Sequence, residues 1–332
     1  MKRIAFNGMG RIGRLTLRNL TNEPDIEIVA INDLTDSSTI AHLLKYDTAH
    51  GHLPNHITGD EEYLYFDDKK IKVFAIKNPL ELPWKELAID VVIECTGVFT
   101  DFEKAMMHHT AGARKVIISA PAKGADVQTI VLGVNDEEID ADDIVFSNAS
   151  CTTNCLAPVI KILDQQFGFV EGMMSTTHAY TADQRLQDAP HKDLRRARAA
   201  AQNIVPTTTG AAEAVAKVWP SVQGKLFGKA LRVPVITGSL TDLTCILSRK
   251  VTEAEINEAF RKAAEGSMKG IVQYNEVPLV SSDIIGNKHS SIFDAPLTKV
   301  TGNLVSVVAW YDNEAGYSAR LSDLVMIIAR RF

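Results

Sequence analysis

The chain is poor in cysteine, with four in 332 residues, and Cys95, Cys151, Cys155 and Cys245 form neither a paired disulfide framework nor a CxxC zinc pattern. That usage fits a reducing compartment, and a cytoplasmic location is expected. No apolar run reaches the roughly 18 residues that a membrane helix needs, so no membrane partner is expected. Lys2 and Arg3 imitate the start of a secretory signal, but polar Asn7, Arg11 and Arg14 interrupt the apolar stretch such a signal requires. Positive charge is not in excess either: the formal net charge of −6 argues against nucleic acid binding as the main function. Internal repeats and low-complexity linkers are missing. His42, His50, His52 and His56 cluster in a polar loop without cysteine or carboxylate at zinc spacing, so no metal is expected.

What is present is ample apolar material, 45% of a chain too long for one typical core, which implies two domains. In Ser147-Asn148-Ala149-Ser150-Cys151-Thr152-Thr153-Asn154-Cys155 a strand-like run at Ile144, Val145 and Phe146 gives way to helical spacing at Leu156, Val159, Ile160, Leu163 and Phe167. Cys151 therefore falls in a first helical turn, where free N–H groups and the helix dipole favour a thiolate and can also bind an oxyanion. His178 closes a second strand-like run and is the candidate base for a Cys–His pair. On these residues alone, a buried structural cysteine and a hydrogen-bonded core histidine remain an alternative.

The N-terminus narrows the choice. Lys2 to Asn7 reads as a strand, Gly8-Met9-Gly10-Arg11-Ile12-Gly13 follows it, and Leu15, Leu17 and Leu20 continue at helical spacing. A second apolar strand, Ile26 to Ile31, ends at Asp33. This is a dinucleotide fingerprint in its full context: glycines for the turn, the pyrophosphate approach and helix packing, and a carboxylate for the ribose hydroxyls. Asp33 repels a 2′-phosphate, which favours NAD over NADP.

The fold class expected is α/β. An N-terminal Rossmann-type doubly wound parallel sheet spans 1–150, an α+β catalytic domain with a mostly antiparallel sheet spans 151–315, and a C-terminal helix over 316–332 packs back on the first domain. Further parallel strands are expected at Val91 to Cys95, Lys115 to Ser119, Ile130 to Val134 and Ile144 to Phe146, with a polar, turn-rich insertion over about 47–70. Thr96-Gly97 and Ser119-Ala120-Pro121 then lie at the ligand-binding carboxyl edge. In the second domain Leu231 to Val235, Leu243 to Leu247 and Leu304 to Tyr311 read as strands, and Thr252 to Glu255 has capping-box spacing for a helix through Ala264.

Several motifs in order carry a resemblance: Asn7 to Arg14, Glu94 to Phe99, Ser119-Ala120-Pro121, Ser150 to Asn154, His178 to Thr181, Pro206 to Ala212, Arg232-Val233-Pro234 and Asn313 to Tyr317. The chain resembles the phosphorylating, NAD-dependent, glycolytic glyceraldehyde-3-phosphate dehydrogenases along essentially its whole length. The resemblance implies that Cys151 attacks the aldehyde of glyceraldehyde 3-phosphate with His178 as base, that a thiohemiacetal loses hydride to NAD across a cleft between the domains, and that inorganic phosphate releases the resulting thioester as an acyl phosphate. It assigns Thr181 and Arg232 to the substrate phosphate, Ser150, Thr152, Thr209 and Gly210 to the attacking phosphate, and Arg195 to both. Asn7, Gly8, Gly10, Arg11, Ile12, Gly13, Asp33, Lys77, Thr96 and Ser119 would hold the dinucleotide, with Asn313 on the nicotinamide amide and Tyr317 beside the ring.

Cys155, one turn past Cys151, reads as a packed or resolving thiol. Lys77 stands where an arginine often approaches the adenine and Ala189 where a larger apolar residue is common, while Met9 and Ala315 replace bulkier residues. The resemblance also implies a homotetramer in which the polar stretch from Tyr180 to Val205 is ordered between subunits. Two other functions compete: an erythrose-4-phosphate dehydrogenase of the same fold, which passes its acyl group to water, and a Cys/His hydrolase, which leaves the glycine fingerprint without purpose.

Overall fold

The computed structural model describes residues 1–124 and 126–331. One compact unit contains Met1–Ile130, Glu137–Ala149 and the chain from Ser318 onward; the other contains Val131–Asp136 and Ser150–Tyr317.

In the first unit β1 (Lys2–Asn7), α1 (Arg11–Leu20), β2 (Ile26–Asn32) and α2 (Ser37–Lys45) lead into a short hairpin of β3 (Tyr46–Asp47) and β4 (Gly51–His52). There follow β5 (Ile57–Gly59), β6 (Tyr63–Phe66), β7 (Lys69–Phe74), β8 (Val91–Glu94), α3 (Phe102–Thr110), β9 (Lys115–Ile118), β10 (Gln128–Thr129) and β11 (Val145–Ser147). The sheet order is β10-β11-β9-β8-β1-β2-β7-β6-β5. From β10 to β7 every neighbouring pair is parallel. All residues of β8 and β9 are buried, as strands covered on both faces must be. The order reverses at β1, with β2 on one side and β8 on the other, which makes the carboxyl end of β1 the switch point where such sheets bind ligands.

Two sequence expectations fail here. The apolar run Ile130 to Val134 is not a strand: the ladder stops at Thr129, Val131 N–H donates to Asn135 Oδ1 at 2.9 Å, and Gly133 turns the chain at a φ of +82°. The polar stretch over about 47–70 is not only turns: β5 and β6 extend the sheet as antiparallel strands, burying Leu64 and Phe66 while Tyr63 and Tyr65 face outward in part. Its period of two is hidden by the acidic residues around it. The final helix, α7 (Ala315–Arg331), buries Leu321, Leu324, Val325 and Ile328, and Arg330 pairs with Asp25 at 2.9 Å.

The second unit runs α4 (Cys151–Phe167), β12 (Phe169–Ala179), β13 (Val205–Thr207), α5 (Ala211–Val218), β14 (Leu226–Val233), β15 (Ser239–Leu247) and α6 (Glu253–Glu265). It ends with β16 (Val272–Asn275), β17 (Ser291–Asp294), β18 (Lys299–Thr301) and β19 (Leu304–Tyr311). The sheet order is β13-β14-β12-β15-β19-β17-β16, with β18 on β19, and its pairs are mostly antiparallel. The parallel exceptions are β12 with β14 and β16 with β17. Buried α4 packs on the sheet through β12, β15, β17 and β19, and Thr252 with Glu255 closes the capping box of α6.

Two glycines of the β1–α1 turn are fixed by packing. Gly8 has a φ of +97° and a Cβ there would stand 2.8 Å from the Cys95 carbonyl carbon; a Cβ on Gly13 would stand 2.3 Å from the Gly8 carbonyl oxygen. A Cβ on Gly10 meets nothing within 4 Å. Gly13→Ala is expected to destabilise the protein by about 1–3 kcal/mol through overpacking against backbone. Gly10→Ala is expected to cost under about 1 kcal/mol, the difference between glycine and alanine as a helix cap. Urea midpoints of the two variants check the contrast.

Candidate active site

The chain turns from β11 into α4 through Ala149, held in the left-handed region at a φ of +54°. A non-glycine residue there stores backbone strain immediately before the nucleophile. Ser150 caps the helix, its Oγ accepting from Thr153 N–H at 3.0 Å, so that Cys151 opens the first turn. The backbone N–H groups of Cys151 and Thr152 face the sulfur.

His178 lies near the end of β12, 4% exposed, with Nε2 3.3 Å from Cys151 Sγ. Its Nδ1 is 2.7 Å from the Ala179 carbonyl oxygen, an acceptor only; in the tautomer with the hydrogen on Nδ1 the Nε2 lone pair faces the thiol. Arg232 is the register partner of His178 across β12 and β14, and its Nη1 lies 3.2 Å from Nδ1 and 2.7 Å from Thr181 Oγ1. Burial, and after it the Arg232 charge, pull the His178 imidazole down to about 3. Burial also pushes the Cys151 thiol up, against the opposing pull of Arg232 and the Thr152 hydroxyl and backbone. The resting pair is thus neutral thiol and neutral imidazole. The helix end that favours a thiolate is present, and desolvation opposes it.

The candidate phosphate residues divide. Cys151, His178, Arg232 and Thr181 form one connected set of polar contacts. The Thr152 hydroxyl, expected in the attacking-phosphate site, is buried against Tyr311 OH at 2.9 Å, and the Ser150 hydroxyl serves as the helix cap. Thr209 Oγ1 accepts from Ala211 N–H at 3.2 Å, and Gly210 is the N-cap of α5 with no side-chain cap. Arg195 is exposed, its N–H donating to Asp193 Oδ1 at 2.9 Å. Among the described residues none of these last three bonds directly to the Cys151 set.

Tyr311 was not singled out in the sequence. Its OH lies 2.9 Å from Thr152 Oγ1 and 2.8 Å from Thr176 Oγ1, and its ring stands edge-on to His178 with centroids 5.9 Å apart. The available signal was a tyrosine in an apolar strand, whose buried hydroxyl must find partners.

The candidate nucleotide residues of the first unit gather at the carboxyl ends of its strands. Asp33 follows β2; its Oδ2 accepts from Met9 N–H at 2.6 Å and its Oδ1 from Thr35 N–H at 2.8 Å, which pins the glycine turn. Helix α1 begins at Gly10 with no side-chain cap and no acidic residue in its first turn, so its positive end is unneutralised by its own side chains. Half-buried Ile12 lies in that turn, and the Arg11 guanidinium is held by Asp47 at 2.5 and 3.0 Å. Exposed Lys77 follows β7, and Thr96 and Ser119 follow β8 and β9.

Asn7 is buried instead in a polar cluster under the turn: Nδ2 donates to Glu94 Oε2 at 2.5 Å and Oδ1 accepts from Asn32 Nδ2 at 2.7 Å. Glu94 Oε1 takes Thr96 N–H at 2.7 Å, and Glu94 Oε2 takes His108 Nε2 at 3.1 Å. Trp84 Nε1 donates to His108 Nδ1 at 3.0 Å, which places the His108 proton on Nε2. In the second unit the Asn313 oxygen accepts from Gly238 N–H at 3.2 Å and Ser239 Oγ at 2.8 Å. A backbone donor admits only one amide orientation, so Nδ2 is the group Asn313 can offer a ligand. Tyr317 is buried in the first turns of α7.

Residues 2–102 match the family described as glyceraldehyde 3-phosphate dehydrogenase, NAD binding domain, and residues 150–313 match its C-terminal domain. The glyceraldehyde-3-phosphate dehydrogenase of Mycolicibacterium smegmatis is 55% identical, covering 99% of this chain and 98% of its own. That of Mycobacterium tuberculosis is 56% identical with the same coverage. Glyceraldehyde-3-phosphate dehydrogenase 2 of Streptomyces avermitilis is 55% identical over 99% of both chains.

The depressed imidazole gives a signed pH dependence. Because its folded value lies below the ordinary 6.5, His178 contributes stability present above that pH and lost as pH falls toward 3. His178→Asn is therefore expected to lose less stability than the parent between pH 6.5 and about 3. Urea midpoints across that window measure it.

Proposed function

The chain belongs to the glyceraldehyde-3-phosphate dehydrogenase family, and on that premise we propose that it oxidises D-glyceraldehyde 3-phosphate with NAD and inorganic phosphate to 1,3-bisphosphoglycerate. It is an NAD-dependent dehydrogenase. The observation that carries the finer reading is the Cys151 Sγ to His178 Nε2 contact of 3.3 Å beside the Arg232–Thr181 pair.

Cys151 Sγ adds to the aldehyde carbon as His178 Nε2 takes the thiol proton and passes it to the carbonyl oxygen, giving a thiohemiacetal. NAD, when bound, accepts the hydride from that carbon. His178 removes the hydroxyl proton at the same stage, leaving a thioester on Cys151. Inorganic phosphate then attacks the thioester carbon, the acyl phosphate departs, and the sulfur regains its proton from His178. Since the resting thiol is neutral, the first step depends on His178 being an unprotonated base, which burial and Arg232 ensure. Arg232 and Thr181 supply a cation and a hydroxyl for the substrate phosphate. Arg195, Thr209 and Gly210 are assigned to the attacking phosphate, with backbone N–H groups at the start of α5 as further donors.

The first unit suits NAD: open space at Gly10, the uncapped start of α1, and Asp33 with lone pairs left for ribose hydroxyls. Asp33 disfavours a 2′-phosphate. Asn313 Nδ2 would donate to the nicotinamide amide oxygen. We assign 1–150 to the nucleotide domain, 151–315 to the catalytic domain and 316–332 to the returning helix.

A homotetramer is proposed as the working form, in a cytoplasmic setting. No helix among the described residues is long and apolar enough to cross a membrane. The outward face of the β12–β14–β15–β19 sheet exposes Met173, Phe227 and Leu304, and Leu186 and Leu194 are exposed in the stretch after Tyr180. Apolar surface of this extent is what a second copy of the chain would cover.

NADH absorbance should rise with glyceraldehyde 3-phosphate only when inorganic phosphate is present, and Cys151→Ser should lower the rate at least about a thousandfold. NADH formation at full rate without phosphate would favour transfer of the acyl group to water instead. Light scattering should give a particle of about four times the 36.4 kDa chain mass; a monomer with full activity would contradict the assembly.

A further inference from the structure

Glu94, the last residue of β8, is a buried carboxyl group that the mechanism above leaves without a role. The direction of every hydrogen bond to it is fixed by its neighbours. Ile76 N–H donates to Asn32 Oδ1 at 2.9 Å, so Asn32 Nδ2 donates to Asn7 Oδ1, and Asn7 Nδ2 is left to donate to Glu94 Oε2. The Trp84 indole occupies Nδ1 of His108, so His108 is a neutral ring whose Nε2–H also points to Oε2. Glu94 Oε1 takes the Thr96 N–H, and the Thr96 hydroxyl, which accepts from Val98 N–H at 3.1 Å, gives its hydrogen to the same oxygen. Four converging donors leave no acceptor for a carboxyl hydrogen, so Glu94 is a carboxylate. Among the described residues no lysine or arginine pairs with it. A full negative charge is thus held by dipoles alone inside the first unit.

We propose that the Glu94 carboxylate biases the coenzyme site toward the oxidised form, by attracting the positive charge that the nicotinamide ring carries in NAD+ and lacks in NADH. The inference rests on the reading of Asp33 as the ligand of the ribose hydroxyls and of the start of α1 as the pyrophosphate site. Those two assignments put the adenosine half on the β2 side of the switch point. Because the sheet order reverses at β1, the nicotinamide half extends to the other side, toward β8, the strand that Glu94 ends. A fixed negative charge there distinguishes a cationic ring from a neutral one by Coulomb attraction. Burial removes the carboxylate from the mobile ions that screen surface charges. The same charge weakens retention of NADH relative to NAD+, which favours exchange of the coenzyme after turnover.

The test measures Kd by calorimetry for NAD+, NADH and ADP-ribose, which lacks the nicotinamide, in the full chain and in Glu94→Gln, Glu94→Asp and Asp33→Ala. Glu94→Gln should raise the Kd of NAD+ about three- to tenfold more than that of NADH, with ADP-ribose following NADH. Glu94→Asp keeps the charge on a shorter side chain, so it should weaken all three ligands alike and preserve the ratio of NAD+ to NADH affinity. If Glu94→Gln shifts all three ligands by one factor, the carboxylate only holds the turn and the proposal is overturned. The parent protein supplies a check that does not depend on the folding of any variant: its ratio should hold within about twofold between about 0.05 and 0.5 M salt, since the charge is sealed from ions. A ratio that salt abolishes would place the discrimination in surface charges and also overturn the proposal. Binding of ADP-ribose that Asp33→Ala leaves unchanged would instead overturn the placement of the dinucleotide on which the proposal rests.

Discussion

The chemistry of the catalytic unit depends on one strand pairing, the parallel register that sets Arg232 of β14 beside His178 of β12. Parallel pairing brings the carboxyl ends of both strands to the same edge, where the chain continues directly into Thr181. A slip of one residue would turn the Arg232 side chain to the opposite face of the sheet. Burial, with the Arg232 charge added to it, holds the imidazole neutral, and its Nδ1 lies between the Ala179 carbonyl and Arg232 while Nε2 faces Cys151.

The two units solve the burial of polar groups in different ways. Around Cys151 the half-buried Arg232 cation stands beside His178 and Thr181, and Tyr311 links Thr152 on α4 to Thr176 on β12 through one hydroxyl. Under the glycine turn the Glu94 carboxyl is surrounded by donors from Asn7, Thr96 and His108, and Trp84 in turn fixes His108. Asn7, Glu94 and Thr96 sit at or near the carboxyl ends of β1 and β8, and His108 on α3, so the cluster ties β1, β8 and α3 together beneath the glycine turn. The cluster gives Asn7 a structural part that is separate from any contact with NAD.

Much of this was legible in the sequence because it is local. The strand–GxGxxG–helix context, the cap and first turn at Cys151, and the capping box of α6 are short-range patterns with one physical solution each. The strand at Ile130 to Val134 failed because apolar content alone does not distinguish a strand from a buried turn, and the deciding contact is made by the Asn135 side chain. Strands β5 and β6 were hidden because only alternate residues are apolar. The fate of Thr152 and Arg11 was not legible, since each is claimed by a residue far along the chain, Tyr311 and Asp47, that no spacing rule connects to it. The desolvation that opposes a thiolate at Cys151 is likewise not visible in the sequence: the helix end is local, but the surroundings of the sulfur are a property of the whole unit.

The nucleotide unit begins at Met1 and takes in its last helix from Ser318 onward, so nearly the whole catalytic unit is an insertion within it. The host's buried interior includes Leu321, Leu324, Val325 and Ile328 of α7, which follows the whole inserted unit along the chain. Closing the host core joins segments more than 300 residues apart, as in the pairing of Arg330 with Asp25, and long-range closure is slow compared with local contact formation. The order of folding is therefore constrained by the connectivity: the core of the host unit closes only after the inserted unit has been made.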